Sequence, residues 1–152
     1  RSCDQGHAWT EVSCLLYLSR SCDQGHTWTE AEVSSVKNPD TKAHMLRWQM
    51  GDGRMGDGLL LAYNDHSSYK DVKCRKCRTK LTVSTSGDDG VTWKRLALVE
   101  NAQQDLLRTH YPTILQVGCD RLVVIFSQAY ACCAPKDAEL GIRMATFKLA
   151  QE

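Results

Sequence analysis

The feature that most constrains this chain is a short turn signature that recurs. Ser21-Cys-Asp23-Gln-Gly25-His-Thr27-Trp28 and Ser86-Gly-Asp88-Asp-Gly90-Val-Thr92-Trp93 share the pattern Ser-x-Asp-x-Gly-x-Thr-Trp. A third copy opens the chain and ends at Trp9, with Ala8 in place of the threonine. The residue types explain themselves without any catalysis. Aspartate and serine side chains bond backbone N–H groups inside a turn, glycine supplies a positive φ, and tryptophan buries against its neighbours. Such a turn joins two strands, so each copy predicts a hairpin.

The flanking runs agree. Alternation, β-branching and turn residues predict strands over 13–19, 43–50, 58–64, 79–86, 93–99, 112–117, 121–127 and 141–149. Leu81, Val83 and Thr85 alternate with Thr82, Ser84 and Ser86, the pattern of a half-buried strand. No stretch has a clear helical period; 102–108 is the only weak candidate and reads as a loop. Pro39, Pro112 and Pro135 fall at strand edges or in loops, where a missing N–H is tolerated. The paired segment Gly51-Asp-Gly53 and Gly56-Asp-Gly58 reads as one turn. The grouping is then two strands within 13–33, a four-stranded sheet over 43–99, and three strands over 112–149. Repeated short meanders with a signature turn predict an all-β chain of β-propeller type, because radial packing protects sheet edges. Trp9 and Trp28 stand 19 residues apart, against 65 between Trp28 and Trp93. That is too close for a separate four-stranded unit of about 40 residues. Residues 1–12 therefore read as a duplicated segment of the kind that mis-assembly or mis-splicing leaves. Residues 13–149 form the partial propeller and 150–152 a tail.

Composition excludes some functions. Nineteen Lys and Arg against eighteen Asp and Glu give a formal net charge of +1, without the basic field that draws nucleic acid. Apolar runs such as Leu59–Tyr63 and Leu122–Phe126 are strand-sized, far below the ~20 residues of a membrane-spanning helix. Eight cysteines at irregular spacings leave the compartment open. Cys74-x-x-Cys77 lacks the second spaced pair of a zinc site, since Cys132 and Cys133 are adjacent, and lacks a βαβ context for redox work. The five histidines are scattered. Neither a metal nor another cofactor is expected.

The repeated turn is identified as the Asp-box, or BNR repeat, of the sialidase superfamily, and other segments resemble that family over about residues 20–149. Arg78 stands fifteen residues before the Asp-box Trp93, as an arginine does in sialidases. Tyr111-Pro-Thr-Ile-Leu-Gln116 is similar to the tyrosine-bearing strand that follows, and Gly141–Leu149 to the closing strand. Leu59–Asn64 and Asn38–His44 resemble a sialidase-like subgroup. The resemblance implies a six-bladed propeller, here represented by two to three blades, acting on terminal sialic-acid-like sugars or glycoconjugates. It implies that Arg78 clamps the sugar carboxylate through parallel charge-assisted bonds. It also implies that Tyr111 is the nucleophile of a retaining glycosidase, the exception to the usual carboxylate. A phenol of pKa ~10 needs a neighbouring base for that task.

Two departures accompany the resemblance. His44-Met-Leu-Arg-Trp-Gln-Met50 offers no glutamate to activate the tyrosine, and Ser127-Gln128 stand where an acid often follows. The family's acid/base aspartate and first arginine match nothing here, so the chain itself is expected to be an inactive fragment of a hydrolase. The alternative is a non-catalytic propeller module that binds glycan or protein. Missing blades predict self-association through open sheet edges and faces.

Overall fold

The computed structural model describes residues 15–49, 55–67, 78–101, 107–118, 120–130 and 140–148. Nine strands run in chain order: β1 (Leu15–Leu18), β2 (Glu32–Lys37), β3 (His44–Gln49), β4 (Met55–Asn64), β5 (Lys80–Ser86), β6 (Lys94–Asn101), β7 (Leu107–Val117), β8 (Arg121–Tyr130) and β9 (Gly141–Lys148). They pair antiparallel with their sequence neighbours into sheets β1-β2, β3-β4-β5-β6 and β7-β8-β9. The architecture is all-β, a stack of short meanders arranged as partial propeller blades, and it keeps the predicted grouping of two, four and three strands.

Burial explains why the Leu59–Tyr63 run of β4 is apolar without interruption. Its side chains alternate sides, as in any strand. Leu60 and Ala62 join Leu81 and Val83 of β5 in a core shared with Ile114, Leu122, Val124 and Phe126 of the third sheet. Leu61 and Tyr63 face the other way and pack with Val36 of β2, Leu16 and Trp93. The central sheet is therefore covered on both faces. This corrects the half-buried reading of β5, where Thr82, Ser84 and Ser86 are buried as well. The Tyr63 hydroxyl meets Ser84 Oγ at 3.2 Å, so the polar side of β5 is satisfied as it is covered.

Other boundaries moved for identifiable reasons. Gly56–Gly58 belong to β4 instead of a turn. A Cβ at Gly58 would strike the Trp48 indole and crowd the Ser86 carbonyl, so close packing requires the glycine. Gly51–Gly53, Cys74, Cys77, Cys132, Cys133 and residues 1–12 lie outside the described residues. β2 begins at Glu32, several residues beyond Trp28, and extends past the expected limit at 33. β7 begins at Leu107 and runs straight through Pro112. The strand tolerates proline because, among the described strands, it is an edge strand paired only with β8, and it carries a bulge there. From His110 to Thr113 it advances three residues while β8 advances two, from Ser127 to Ile125.

The two described signature turns have one geometry. Ser86 Oγ donates to Asp88 Oδ1 at 2.7 Å and accepts from Gly90 N at 2.8 Å. Asp88 accepts from Thr92 N at 2.8 Å and from Thr92 Oγ1 at 2.5 Å. Trp93 Nε1 closes the loop on the Gly90 carbonyl at 3.0 Å. The same bonds link Ser21, Asp23, Gly25, Thr27 and Trp28. Positive φ falls not only at Gly25 and Gly90 but also on Gln24 and Asp89 just before them. Trp93 packs into the core, whereas Trp28 stays 64% exposed, unlike the buried tryptophan expected of the motif.

Two outcomes follow. Leu81→Ala removes a fully buried side chain from the shared core and should cost roughly 2–5 kcal/mol in urea unfolding; a loss well under 1 kcal/mol would show that this core does not support the fold. The threonine and serine donors hold Asp23 and Asp88 down to about 2 from the usual 3.8. A carboxylate depressed in the folded state contributes stability above its unfolded pKa and loses it as pH falls through the folded one. Thermal stability should therefore decline between about pH 4 and pH 2, and Asp88→Asn should flatten part of that decline. An unchanged acid profile in Asp88→Asn would remove the turn from the account.

Candidate functional site

The sheet direction separates the Asp-box turns from the two residues with chemical potential. Arg78 stands two residues before the start of β5, and Ser86 ends it. At about 3.3 Å per residue the two ends stand ~25 Å apart. The Asp-boxes occupy one end of the blades, and Arg78 lies at the other.

Tyr111 lies at that same end, on the β7 bulge. The Arg78 guanidinium carbon stands 5.7 Å from the centre of its ring, a cation–π distance. Residues 33 positions apart in the chain are thus brought together, from the start of one sheet strand to the edge of the next sheet. Tyr111 has φ 57°. That is the left-handed region, where a bulky residue costs of order 1–3 kcal/mol and persists only if its surroundings hold it there. The ring is about half exposed, and His110 meets it edge-on at 4.4 Å between centroids.

What holds the pair is a buried polar clasp. Thr109, fully buried, donates from its backbone N to the Arg78 carbonyl at 2.7 Å, and its hydroxyl reaches the same oxygen at 3.2 Å. The Thr109 carbonyl accepts from Asn64 Nδ2 at 2.8 Å. Asn64 N donates to Asn38 Oδ1, and Asn38 Nδ2 to the Thr41 carbonyl. The Arg78 guanidinium is then steadied by Nη2 on the Asp40 carbonyl at 2.6 Å. Farther along β7, His44 Nδ1 accepts from Ile114 N at 3.0 Å, and Lys42 Nζ reaches Thr113 Oγ1. Loop 38–42, the end of β4 and the start of β5 thereby converge on β7.

The electrostatics of this mouth are cationic. Burial, and then the charges of Arg78 and Arg108, push the His110 imidazolium below its usual pKa, leaving a neutral ring at pH 7. Arg78 Nε is buried and has no hydrogen-bond acceptor among the described residues. Among the described residues, no carboxylate bonds the Tyr111 hydroxyl. Ser127 lies opposite His110 on β8 and Gln128 opposite Thr109, so the positions where an acid was sought do border the site, but with uncharged side chains. No group of described residues has the make-up of a metal site.

A cleft of about 690 Å³ opens at the far end, between the Asp-boxes. Its charges answer one another: Arg47 pairs with Asp89 at 2.8 Å, and Arg20 donates to the Asp89 carbonyl. The candidate site is placed instead at Arg78 and Tyr111, where the guanidinium and the phenol are brought together.

Asn64, Thr109 and Asn38 are the residues that motif reading did not single out. Their signal was a polar residue ending the apolar run Leu59–Tyr63, and the segment Asn38–His44 that shared its resemblance. Comparison with known families matches the BNR repeat-like domain over residues 1–123. Comparison with curated proteins and with solved structures returns no match.

The clasp makes a prediction of its own. Asn64→Leu strands the Thr109 carbonyl and should cost roughly 1–3 kcal/mol in equilibrium unfolding. A stability within experimental scatter of the parent would show that the bond does not hold the mouth.

Proposed function

Because the chain belongs to the BNR repeat-like domain family, we propose that the Arg78–Tyr111 mouth receives the carboxylate of a terminal sialic-acid-like sugar, as part of a sialidase-like glycoside hydrolase. The observation that carries this reading is the pair itself. A guanidinium lies against the ring of a tyrosine held at φ 57°, at the end of the blades opposite the Asp-boxes. The guanidinium offers fixed donors to a planar anion. A sugar carboxylate held there brings the anomeric carbon toward the tyrosine side of the mouth. In the hydrolytic reading, the Tyr111 oxygen bonds to that carbon as the bond to the aglycone oxygen breaks, the phenol proton passing to solvent and the aglycone oxygen taking one up from it. Water then adds to the same carbon as the bond to the tyrosine oxygen breaks, a water proton returning to that oxygen, with net retention.

A second reading is non-catalytic recognition of the same sugar. It draws on the bare Tyr111 hydroxyl and on Ser127 and Gln128 where a base would be placed. Binding is common to both readings, and turnover separates them.

Calorimetric titration with free α-sialic acid and with its carboxyl-reduced alcohol tests the shared step. Arg78→Ala should weaken the acid by at least about tenfold, the worth of a charge-assisted bond, and the alcohol should bind poorly to the parent. Equal binding of acid and alcohol would overturn the carboxylate reading. A fluorogenic α-sialoside then tests chemistry. Hydrolysis by the unaltered chain, abolished in Tyr111→Phe at unchanged melting temperature, supports the hydrolase and excludes the non-catalytic reading; binding without turnover fits the recognition module and an incomplete hydrolase alike.

A further inference from the structure

The cleft between the two Asp-box turns differs in chemistry from the cationic mouth at the opposite end of the blades, and two neighbouring sheets build it. Leu18 of β1 and Leu59 of β4 meet over Gly90, where a Cβ would lie 3.5 and 3.7 Å from their Cδ1 atoms. Met45 of β3 lines the cleft beside them, and Trp28 forms an aromatic wall. Its Nε1 is committed to the Gly25 carbonyl at 3.0 Å, so the indole has only ring surface left to offer. That side chain is 64% exposed, although the same motif packs Trp93 against the cluster of Val36, Leu61 and Tyr63.

The polar side of the cleft is balanced in charge. Arg47 Nη2 bonds Asp89 Oδ1 at 2.8 Å, and nothing else among the described residues bonds Asp89 Oδ2 or the remaining Arg47 N–H groups. Arg20 donates from Nη2 to the Asp89 carbonyl at 3.1 Å and sets Nη1 3.8 Å from Glu32. Two guanidiniums thus answer two carboxylates among the described residues. A carboxylate beside a guanidinium offers an acceptor next to donors. Two adjacent hydroxyls need that arrangement, since each gives one hydrogen bond and accepts others.

We propose that this cleft binds a neutral pyranose, its C–H face on Trp28 and two vicinal hydroxyls on the Arg47–Asp89 pair. The C–H face of such a ring is apolar and weakly positive, and the indole face is negative. A volume of about 690 Å³ lies within the roughly 300–1,000 Å³ of small-molecule sites. An anionic ligand would compete with Asp89 and Glu32 for guanidiniums that are already paired, whereas a wholly apolar one would strand the pair beneath it. The site stands apart from the Arg78–Tyr111 mouth and does not rest on the function proposed there.

Titration of the full chain with methyl β-glucopyranoside tests the assignment, because its equatorial hydroxyls leave both ring faces apolar. Saturable millimolar binding should shift the Trp28 indole N–H resonance. It should also slow iodoacetamide alkylation of Cys22, an exposed thiol on the same cleft, several-fold. Glycerol, with hydroxyls but no ring, should do neither. Trp28→Ala should weaken binding at least about tenfold, and Trp28→Phe should recover part of it. Asp89→Gly removes the carboxylate at a position of φ 54°, which glycine adopts freely, and should weaken binding to a similar extent. Absence of any Trp28 shift or Cys22 protection at high sugar concentration overturns the proposal, as does undiminished affinity in Asp89→Gly. Methyl β-glucuronide binding as tightly as the glucoside would replace the neutral ligand with an anionic one and equally overturn it.

Discussion

The structure depends on the burial of one strand on both faces. β4 sends Leu60 and Ala62 into one core and Leu61 and Tyr63 into another, so the central sheet is stable only as the middle of a stack. A two-stranded sheet alone is marginal in water, and larger ones need an apolar face covered. Here each outer sheet gains its stability by covering one side of β3-β4-β5-β6. The polar residues that this arrangement buries are matched within it, as Ser84 is by Tyr63.

Stacking also divides the labour between the two ends of the blades. At one end the Asp-box turns close on themselves, their serine, threonine and aspartate side chains bonding one another and the backbone N–H groups of the turn. At the other end the clasp of Asn38, Asn64 and Thr109 crosses between sheets and sets Arg78 beside Tyr111. The strain of the tyrosine's backbone is located there, on the bulge that lets β7 pass through Pro112. Local bonds stiffen the turns. Long-range bonds build the mouth.

Much of this was legible in the sequence, and the rest failed for physical reasons. Hairpins and their grouping into two, four and three strands follow from alternation and from a turn motif whose every residue has a local partner. The double burial of β5 was not legible, because Thr82, Ser84 and Ser86 look solvent-facing until Tyr63 and its neighbours are placed over them. Pro112 was misjudged as a strand limit, since a bulge depends on the register of β8 and not on β7 alone. Arg78 and Tyr111 could be named from resemblance, but their proximity and the clasp behind them are tertiary facts. Asn64 gave only a faint sign, as the polar end of an apolar run.

The central claim is that the mouth at Arg78 and Tyr111 is where a carboxylated sugar binds. A residue-resolved NMR titration with free α-sialic acid tests it most directly. The account predicts saturable shifts at Arg78 Nε–H, the Tyr111 ring and the Thr109 amide, with Thr27 and Thr92 at the Asp-box end unmoved. Shifts that cluster at Thr27 and Thr92, or none at Arg78 and Tyr111, would contradict it.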